Sequence, residues 1–396
     1  MCDVVVAKYP NVIRHTSYIK RDSQQFFNQQ IRNVYLRTLQ LTNFKNYPEA
    51  AFEFNSNVNG IVGANGSGKT NLLDAIHYLS FGKSCFSAKD VTSVRLGTDF
   101  FALHGDFADD GSGNTTQVSC VYKNGTKSLK ANKKEYDRLS DHVGLFPVVM
   151  VSPYDSDIIN DGNEVRRRFF DKIISQFDKI YLQHLIHYKK LLLQRNAVLR
   201  QQMESRHADL SLLQVIDYQL IEDGVQLYQR RKQFIDDIRP MFLEHYRQLS
   251  KGLEEVDIQY RSELAETRYE EGLAKSFPAD AKCGFTTFGV HKDDYDFTID
   301  NQPVKHFGSQ GQQKSFSLAL RLSQFDYAFA YNKRKPILLL DDIFDKLDRT
   351  RITELLNMVG QEHFGQVFIS DTDETRVRAI LGEHGIAHEI FEIRRG

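Results

Sequence analysis

Two hydrophobic periods divide the chain. From residue 33 to 54 apolar and polar positions alternate in steps of two, whereas from about 162 to 250 apolar positions recur at helical spacing. In "NVYLRTLQLTNFKNYPEAAFEFN", Tyr35, Arg37, Leu39 and Leu41 share one face; Leu36, Thr38 and Gln40 share the other, more polar one. Alternation resumes at Ala51-Phe52-Glu53-Phe54 after Pro48, so the stretch predicts two strands. "GIVG" predicts a third strand, and Leu72, Leu73, Ile76 and Leu79 have helical spacing after it. Val118, Cys120 and Tyr122 alternate ahead of Asn124-Gly125, a dipeptide that favours a hairpin turn. "FPVVMVS", "PILLLDD" and "GQVFIS" are short apolar runs of the kind that central strands buried on both faces show.

The middle of the chain has a different texture. Leu213, Leu220, Leu227 and Phe234 are spaced by sevens with Ile216 beside them. That stripe predicts a long helix packed on another helix, and Pro240 is expected to limit it. The segment therefore reads as an antiparallel helical arm. After about residue 281 the pattern turns β-like again. "YDFTIDNQPVKHF" reads as a hairpin, and "SFSLALRLSQFDYAF" as a helix with Leu318, Leu322 and Phe325 on one face. Residues 1–32 show no clear period and are set apart as an N-terminal extension. The expected organisation is an α/β head in two segments, 33–160 and 281–396, interrupted by an arm over 161–280.

Composition narrows the function classes. The chain has 396 residues, 41% hydrophobic and 26% charged, with a formal net charge of −1. Any nucleic-acid surface must then be a local patch and not a property of the whole chain. Cys2, Cys85, Cys120 and Cys283 are far apart and form no C-x-x-C pair, so neither a zinc site nor a redox pair is expected. No apolar run approaches the ~20 residues that span a bilayer, and the N-terminal apolar run is too short for a secretory signal. A cytoplasmic protein with reduced thiols and no membrane partner is expected.

Gly63-Ala64-Asn65-Gly66-Ser67-Gly68-Lys69-Thr70 fits G-x-x-x-x-G-K-[ST], between a predicted strand and a predicted helix. Glycines in such a loop let backbone N–H groups converge on phosphate oxygens, and the following helix adds its positive N-terminus. Candidate nucleotide contacts are Gly63, Asn65, Gly66, Ser67, Gly68, Lys69, Thr70 and Asn71. Lys69 would reach the β- and γ-phosphates, and Thr70 would place its hydroxyl on Mg²⁺. The run Ile337–Leu340 ends in Asp341 and Asp342. Asp341 is the expected metal-side carboxylate, and Asp342 the residue that polarises the attacking water.

A third motif resembles the signature of ATP-binding-cassette ATPases. Ser309-Gln310-Gly311-Gln312-Gln313 precedes a predicted helix, roughly thirty residues ahead of "LLLDD". Read alone, it is a polar helix cap. In that superfamily the serine hydroxyl, the glycine N–H and the helix terminus bind the γ-phosphate of an ATP held by another subunit. The resemblance adds Ser309, Gly311, Gln312 and the loop residue Asp348 to the nucleotide contacts.

The resemblance becomes closer over longer runs. "LRTLQLTNFKNY", "VGANGSGKTNLLDAIHYLSFGKS", "EVRRRFFDKIISQ", "YKKLLLQRNAVL", "GVHKDDYDFTI", "GSQGQQKSFSLALRL" and "PILLLDDIFDKLD", in this order from about residue 34 to the C-terminus, together resemble the RecF family. That resemblance implies a split ABC-type P-loop ATPase head of two lobes with an inserted helical arm. It implies ATP and Mg²⁺, an ATP-dependent homodimer that holds DNA, and hydrolysis that releases it. It also implies action at gapped or duplex–single-strand junction DNA, with RecO and RecR helping to load RecA.

The sequence departs from the cassette pattern in places. Cys85 and Phe86 stand in "GKSCF", Asp371-Thr372 follow the last core strand where a histidine is common, and Pro153 and Asp155 follow "VVMVS" where a glutamine is common. From the last two departures, weak hydrolysis is expected. DNA candidates are Lys123, Lys127, Lys130, Lys133 and Lys134 along one hairpin and Arg166, Arg167 and Arg168 at the start of the arm. Such cations neutralise phosphates without reading bases. The alternatives are a solvated hairpin face for the lysines and salt bridges for the arginines. His291, Lys292, Asp293 and Asp294 carry the resemblance without an evident role. An SMC-like tether is disfavoured by the short arm and the missing C-x-x-C hook. "GVHKDD" counts against a transporter ATPase, and the signature motif against a small-molecule kinase.

Overall fold

The computed structural model describes residues 32–136, 138–205, 210–344, 347, 349–360 and 363–394. The chain divides into two compact units. The first comprises Met1–Ser156, Glu244–Leu253 and Ser309–Gly396, and the second Asp157–Leu243 and Glu254–Gly308.

The chain enters the first unit through β1 (Arg32–Phe44), β2 (Tyr47–Glu53) and β3 (Val58–Val62). Helix α1 (Lys69–Phe81) follows, then β4 (Phe100–Asp109), β5 (Thr115–Lys123), β6 (Thr126–Ala131), β7 (Lys134–Glu135) and β8 (Val148–Val151). β1 is flanked by β2 and β4, and the meander continues through β5, β6 and β7. Strict alternation fails once in β1. Its register against β4 shifts between Leu36 and Thr38, so Arg37 is an extra, bulged residue. The bulge turns Leu36, Leu39 and Leu41 into the core together and leaves Arg37 exposed. The expected shared face of Arg37 with Leu39 is corrected accordingly. Asn124 and Gly125 both take positive φ, 50° and 79°, the two-residue turn that matches strand twist.

The second unit holds α2 (Asn163–Phe177), α3 (Lys179–Ser205) and α4 (Leu210–Ser250) as far as Leu243; the end of α4 from Glu244 belongs to the first unit. Ion pairs show α3 and α4 running antiparallel: Asp178 meets Arg230, His184 and His187 meet Asp223, and Arg195 meets Asp217. Leu213, Ile216, Leu220, Leu227 and Phe234 are all buried, as the spacing by sevens requires. Pro240 does not end the helix, contrary to expectation; α4 continues through it to Ser250. A proline inside a helix forfeits one hydrogen bond and costs about 3 kcal/mol. Here Ile238, Met241, Phe242 and Tyr246 around it are all fully buried, and their burial offsets that cost.

β9 (Val256–Arg261), α5 (Tyr269–Cys283), β10 (Asp294–Ile299) and β11 (Gln302–Pro303) complete the second unit as a three-stranded sheet with a helix. The hairpin expected in "YDFTIDNQPVKHF" exists, but β11 is two residues long, and β10 pairs along its length with β9. That pairing holds residues 281–308 in the second unit, so the second head segment starts near Ser309 instead of 281.

"GVHKDD" is a buried polar network of this unit. Arg231 donates to both oxygens of Asp171, at 3.0 and 3.1 Å, to the Val290 carbonyl at 2.7 Å and to Asp293 at 3.3 Å. Tyr260 also donates to Asp293. His291 Nε2 lies 3.0 Å from the Thr286 carbonyl, which can only accept, so Nε2 carries the proton. Nδ1 then accepts from Tyr188 at 2.8 Å, and Tyr188 accepts from Tyr269 at 2.8 Å. Burial pushes the His291 pKa down to about 4. The unfolded chain therefore binds more protons than the folded one between pH 6.5 and 4, and stability falls as pH falls through that window. The loss amounts to about 3 kcal/mol for this group. Urea unfolding at pH 7.5 and pH 5 should show a smaller acid penalty for His291→Gln than for the wild type; an equal penalty would remove His291 from this role.

The chain returns to the first unit with α6 (Gln310–Asn332), β12 (Arg334–Lys335), β13 (Ile337–Leu340), α7 (Arg349–Gly360), β14 (Val367–Asp371), α8 (Glu374–Glu383) and β15 (His388–Glu392). β3, β8, β13, β14 and β15 form a parallel sheet in the order β15-β3-β14-β13-β8. The head sheet thus closes only with strands from both ends of the sequence.

Candidate nucleotide site

The glycine loop occupies residues 63–68 between β3 and α1. Gly63, Gly66 and Gly68 take φ of 153°, 74° and 120°, which side-chain-bearing residues rarely adopt. A Cβ on Gly63 would also stand 2.3 Å from the Ile393 carbonyl oxygen. Lys69 is 7% exposed, and its ammonium donates to the Gly63 and Ala64 carbonyls at 2.7 and 3.1 Å. The turn between β1 and β2 braces the loop. Asn46 donates to the Ser67 carbonyl at 2.9 Å and accepts from Asn71 at 2.7 Å, and the Tyr47 hydroxyl donates to the Gly68 carbonyl at 3.1 Å. Asn46 and Tyr47 match no motif. Their only signal was position, in a tight turn rich in asparagine.

β14 lies between β3 and β13, so the end of β14 sits between the phosphate loop and Asp341. Ser370 occupies that place. Its hydroxyl donates to Asp341 Oδ1 at 2.7 Å and accepts from the Asp342 N–H at 3.0 Å. Thr70 Oγ1 lies 3.0 Å from each Asp341 carboxylate oxygen. Burial pushes the Asp341 pKa up, against the hydrogen bonds from Ser370 and Thr70. A divalent cation would reverse that balance and hold the carboxylate ionised. The Thr70 hydroxyl and the Asp341 carboxylate form an all-oxygen donor pair beside the loop, which fits Mg²⁺. Asp342 adopts φ of 52°, so its backbone turns sharply away from the strand. Ser370→Ala should retain ATP binding and lower turnover about tenfold, the scale of one lost hydrogen bond to a charged group. Unchanged turnover in a steady-state phosphate-release assay would show that Ser370 does not position Asp341.

Ser309 caps α6 through a reciprocal box. Its hydroxyl accepts from the Gln312 N–H at 3.2 Å, and the Gln312 side chain accepts from the Ser309 N–H at 2.7 Å. Ser309 and Gln310 are exposed, and Gly311 is half-buried. A Cβ on Gly311 would meet the Arg351 guanidinium at 2.8 Å, so glycine keeps this end open. Further along α6, Lys314 and Ser317 line a cavity with Ser152, Asp155 and Asp341. Asp155, where a glutamine is common, bonds Arg321 of α6 at 2.5 and 3.1 Å. The residues after β8 are thereby tied to the signature helix by an ion pair. Asp348 lies outside the described residues.

The basic candidates separate into two sets. Lys127 shares the inward face of β6 with Leu129, where its ammonium bonds the Gly82 carbonyl at 2.7 Å and Asp90 at 2.8 Å. Arg166 makes a bidentate pair with Asp294 at 2.7 and 2.9 Å, and Arg167 donates to the Asp293 carbonyl at 2.5 Å. These three have partners within their own units, so their charge is less available to DNA phosphates than that of exposed cations. Lys123, Lys133, Lys134 and Arg168 are exposed, and Lys130 is half-buried, 4.0 Å from Glu135. Phe86 is half-buried, with the Lys45 ammonium 5.3 Å from its ring centroid, and the Cys85 N–H donates to Asp74 at 2.7 Å; both residues serve the support of α1.

The RecF/RecN/SMC N terminal domain family matches residues 35–389. "DNA replication and repair protein RecF" of Flavobacterium johnsoniae is 42% identical over 361 residues, covering 91% of this chain and 100% of that protein. The protein of the same name from Parabacteroides distasonis is 42% identical and covers 91% and 98%. The solved structure of the recombination mediator protein RecF with ATP in the RecFOR pathway superposes with a TM-score of 0.81 at 30% identity, over 93% of this chain and 98% of that one. The Smc head domain of Pyrococcus furiosus reaches 0.54 at 16% identity and shares the fold. With a family model that matches residues 35–389 and relatives alike over nine-tenths of its length, the chain belongs to the RecF family.

Proposed function

We propose that two copies of this chain close on gapped or duplex–single-strand junction DNA when ATP binds, and release it when ATP is hydrolysed. The chain is an ATPase that uses ATP with Mg²⁺, and its relatives are DNA replication and repair proteins. Action with RecO and RecR to load RecA, in the cytoplasm, is the setting that fits those relatives. No described helix is long and apolar enough to cross a membrane.

The observation that carries this reading is the exposed N-terminus of α6. Ser309 and Gln312 bond each other, so the cap is preformed; the box occupies the Ser309 and Gln312 N–H groups, while the Ser309 hydroxyl keeps its own proton to donate and stands on the exposed helix end. Such an end favours an anion. A γ-phosphate held by the glycine loop of a second copy supplies one. Lys69, Thr70, Asp341 and Asp342 act on the nucleotide in the same chain, and Ser309, Gly311, Gln312 and Asp348 on that of the partner. Lys123, Lys130, Lys133, Lys134 and Arg168 are the cations that meet DNA phosphates.

An SMC-like tether has less support. The arm helices have 27 and 41 residues, about 40 and 60 Å, far short of a long coiled coil. Ser309→Arg should leave ATP binding by the monomer intact and abolish the ATP-driven dimer, as read by analytical ultracentrifugation. A normal dimer would defeat the trans-site reading.

A further inference from the structure

A second cluster of titratable side chains lies away from the nucleotide loop. His245 lies in the last turns of α4, Asp326 in the middle of α6, and His363 shortly before β14, all within the first unit. His245 Nε2 is 2.8 Å from Asp326 Oδ2, and His363 Nε2 is 2.7 Å from Asp326 Oδ1. The three candidate donor atoms lie within 4.8 Å of one another. We propose that His245, Asp326 and His363 form a binding site for one divalent transition-metal ion of the zinc class.

The donor chemistry selects that class. Two imidazole nitrogens and one carboxylate are a common three-ligand set for Zn²⁺, with water as the fourth ligand. Mg²⁺ prefers oxygen and is served at Thr70 and Asp341. The charge requires a cation. With both rings neutral the cluster carries one negative charge, and Asp326 is 2% exposed. A buried carboxylate without a countercharge is unfavourable, and a divalent ion supplies one. Both rings turn Nε2 toward this one carboxylate, one to each oxygen. The wall is aromatic: the His363 ring lies 6.0 Å from Phe325 and 4.9 Å from Phe364. Such a shell lowers the local dielectric and strengthens ion binding. His363 is 27% exposed and gives the ion and its water a route in.

One atom limits the affinity. His245 Nδ1 is buried without a hydrogen-bond partner among the described residues. Metallation at Nε2 leaves the ring proton on Nδ1, where it has no acceptor. The site is accordingly about 10–100-fold weaker than one whose second ring nitrogen is held by an acceptor. Its consequence is mechanical: an ion here ties the end of α4 to α6, the helix that carries Ser309.

The test uses the full chain, stripped with chelator and free of nucleotide. Co²⁺ is titrated while its visible absorption is followed, and Zn²⁺ is measured in competition with a chromophoric chelator. One ion per chain, the absorption of a four-coordinate Co²⁺ with nitrogen ligands, and at least tenfold weaker binding in His363→Ala are expected. Asp326→Asn should behave alike. Because Asp326 is buried, circular dichroism must show that this variant folds, and the partly exposed His363 carries the test where it does not. His187→Ala, at the separate His184–Asp223–His187 cluster, should leave binding unchanged. Equal binding by His363→Ala, loss in His187→Ala, or no Co²⁺ absorption would overturn the proposal and leave the cluster an ion pair with a protonated imidazole.

Discussion

Lys69→Ala is expected to weaken ATP binding at least about a hundredfold, the equivalent of about 3 kcal/mol. The ammonium sits within 3.1 Å of two loop carbonyls, which hold it against the loop. It is the loop's own full positive charge; the backbone N–H groups contribute only partial ones. A charge-assisted hydrogen bond to phosphate contributes about 1.5–3 kcal/mol, and Lys69 is placed to make more than one. Alanine is a good helix former at the first position of α1, so the fold should persist. Isothermal titration with ATP and Mg²⁺ checks the prediction, and unchanged affinity would sink the phosphate-loop assignment.

Asp342→Asn is expected to bind ATP normally and to lower turnover by about 10²–10⁴, the range for loss of a positioned general base. The substitution is isosteric and suits the local backbone. Asp342 has φ of 52°, a left-handed conformation that asparagine tolerates as well as aspartate. Its N–H still meets Ser370, so Asp341 keeps its place beside Thr70. What changes is the ability to take a proton from water. Single-turnover hydrolysis isolates that step, and full turnover would remove Asp342 from the base role.

Much of this architecture was legible because local chemistry and global fold agree. The glycine loop demands glycines at positive φ, and the runs 148–151, 337–340 and 367–371 are buried strands of one parallel sheet. The seven-residue spacing marks the buried stripe of α4. What the sequence hid was non-local. The bulge at Arg37 is a property of the pairing of β1 with β4, and no single-strand pattern reports it. Pro240 follows a local rule that burial around it outweighs. The partner of β10 lies more than thirty residues upstream in β9. Within the site, Ser370 became visible only when the strand order put β14 between the loop and Asp341. Charge alone could not separate Lys127, which turns inward to Asp90, from Lys123, which is exposed.

The measurement that tests the central claim most directly is fluorescence anisotropy of a labelled DNA with a duplex–single-strand junction. The protein is titrated with and without ATP and Mg²⁺, at two salt concentrations, alongside Ser309→Arg. The account predicts binding that requires ATP, weakens with salt as phosphate contacts are screened, and is lost in Ser309→Arg. DNA binding that is equal in every nucleotide state, or absent from all of them, would contradict it.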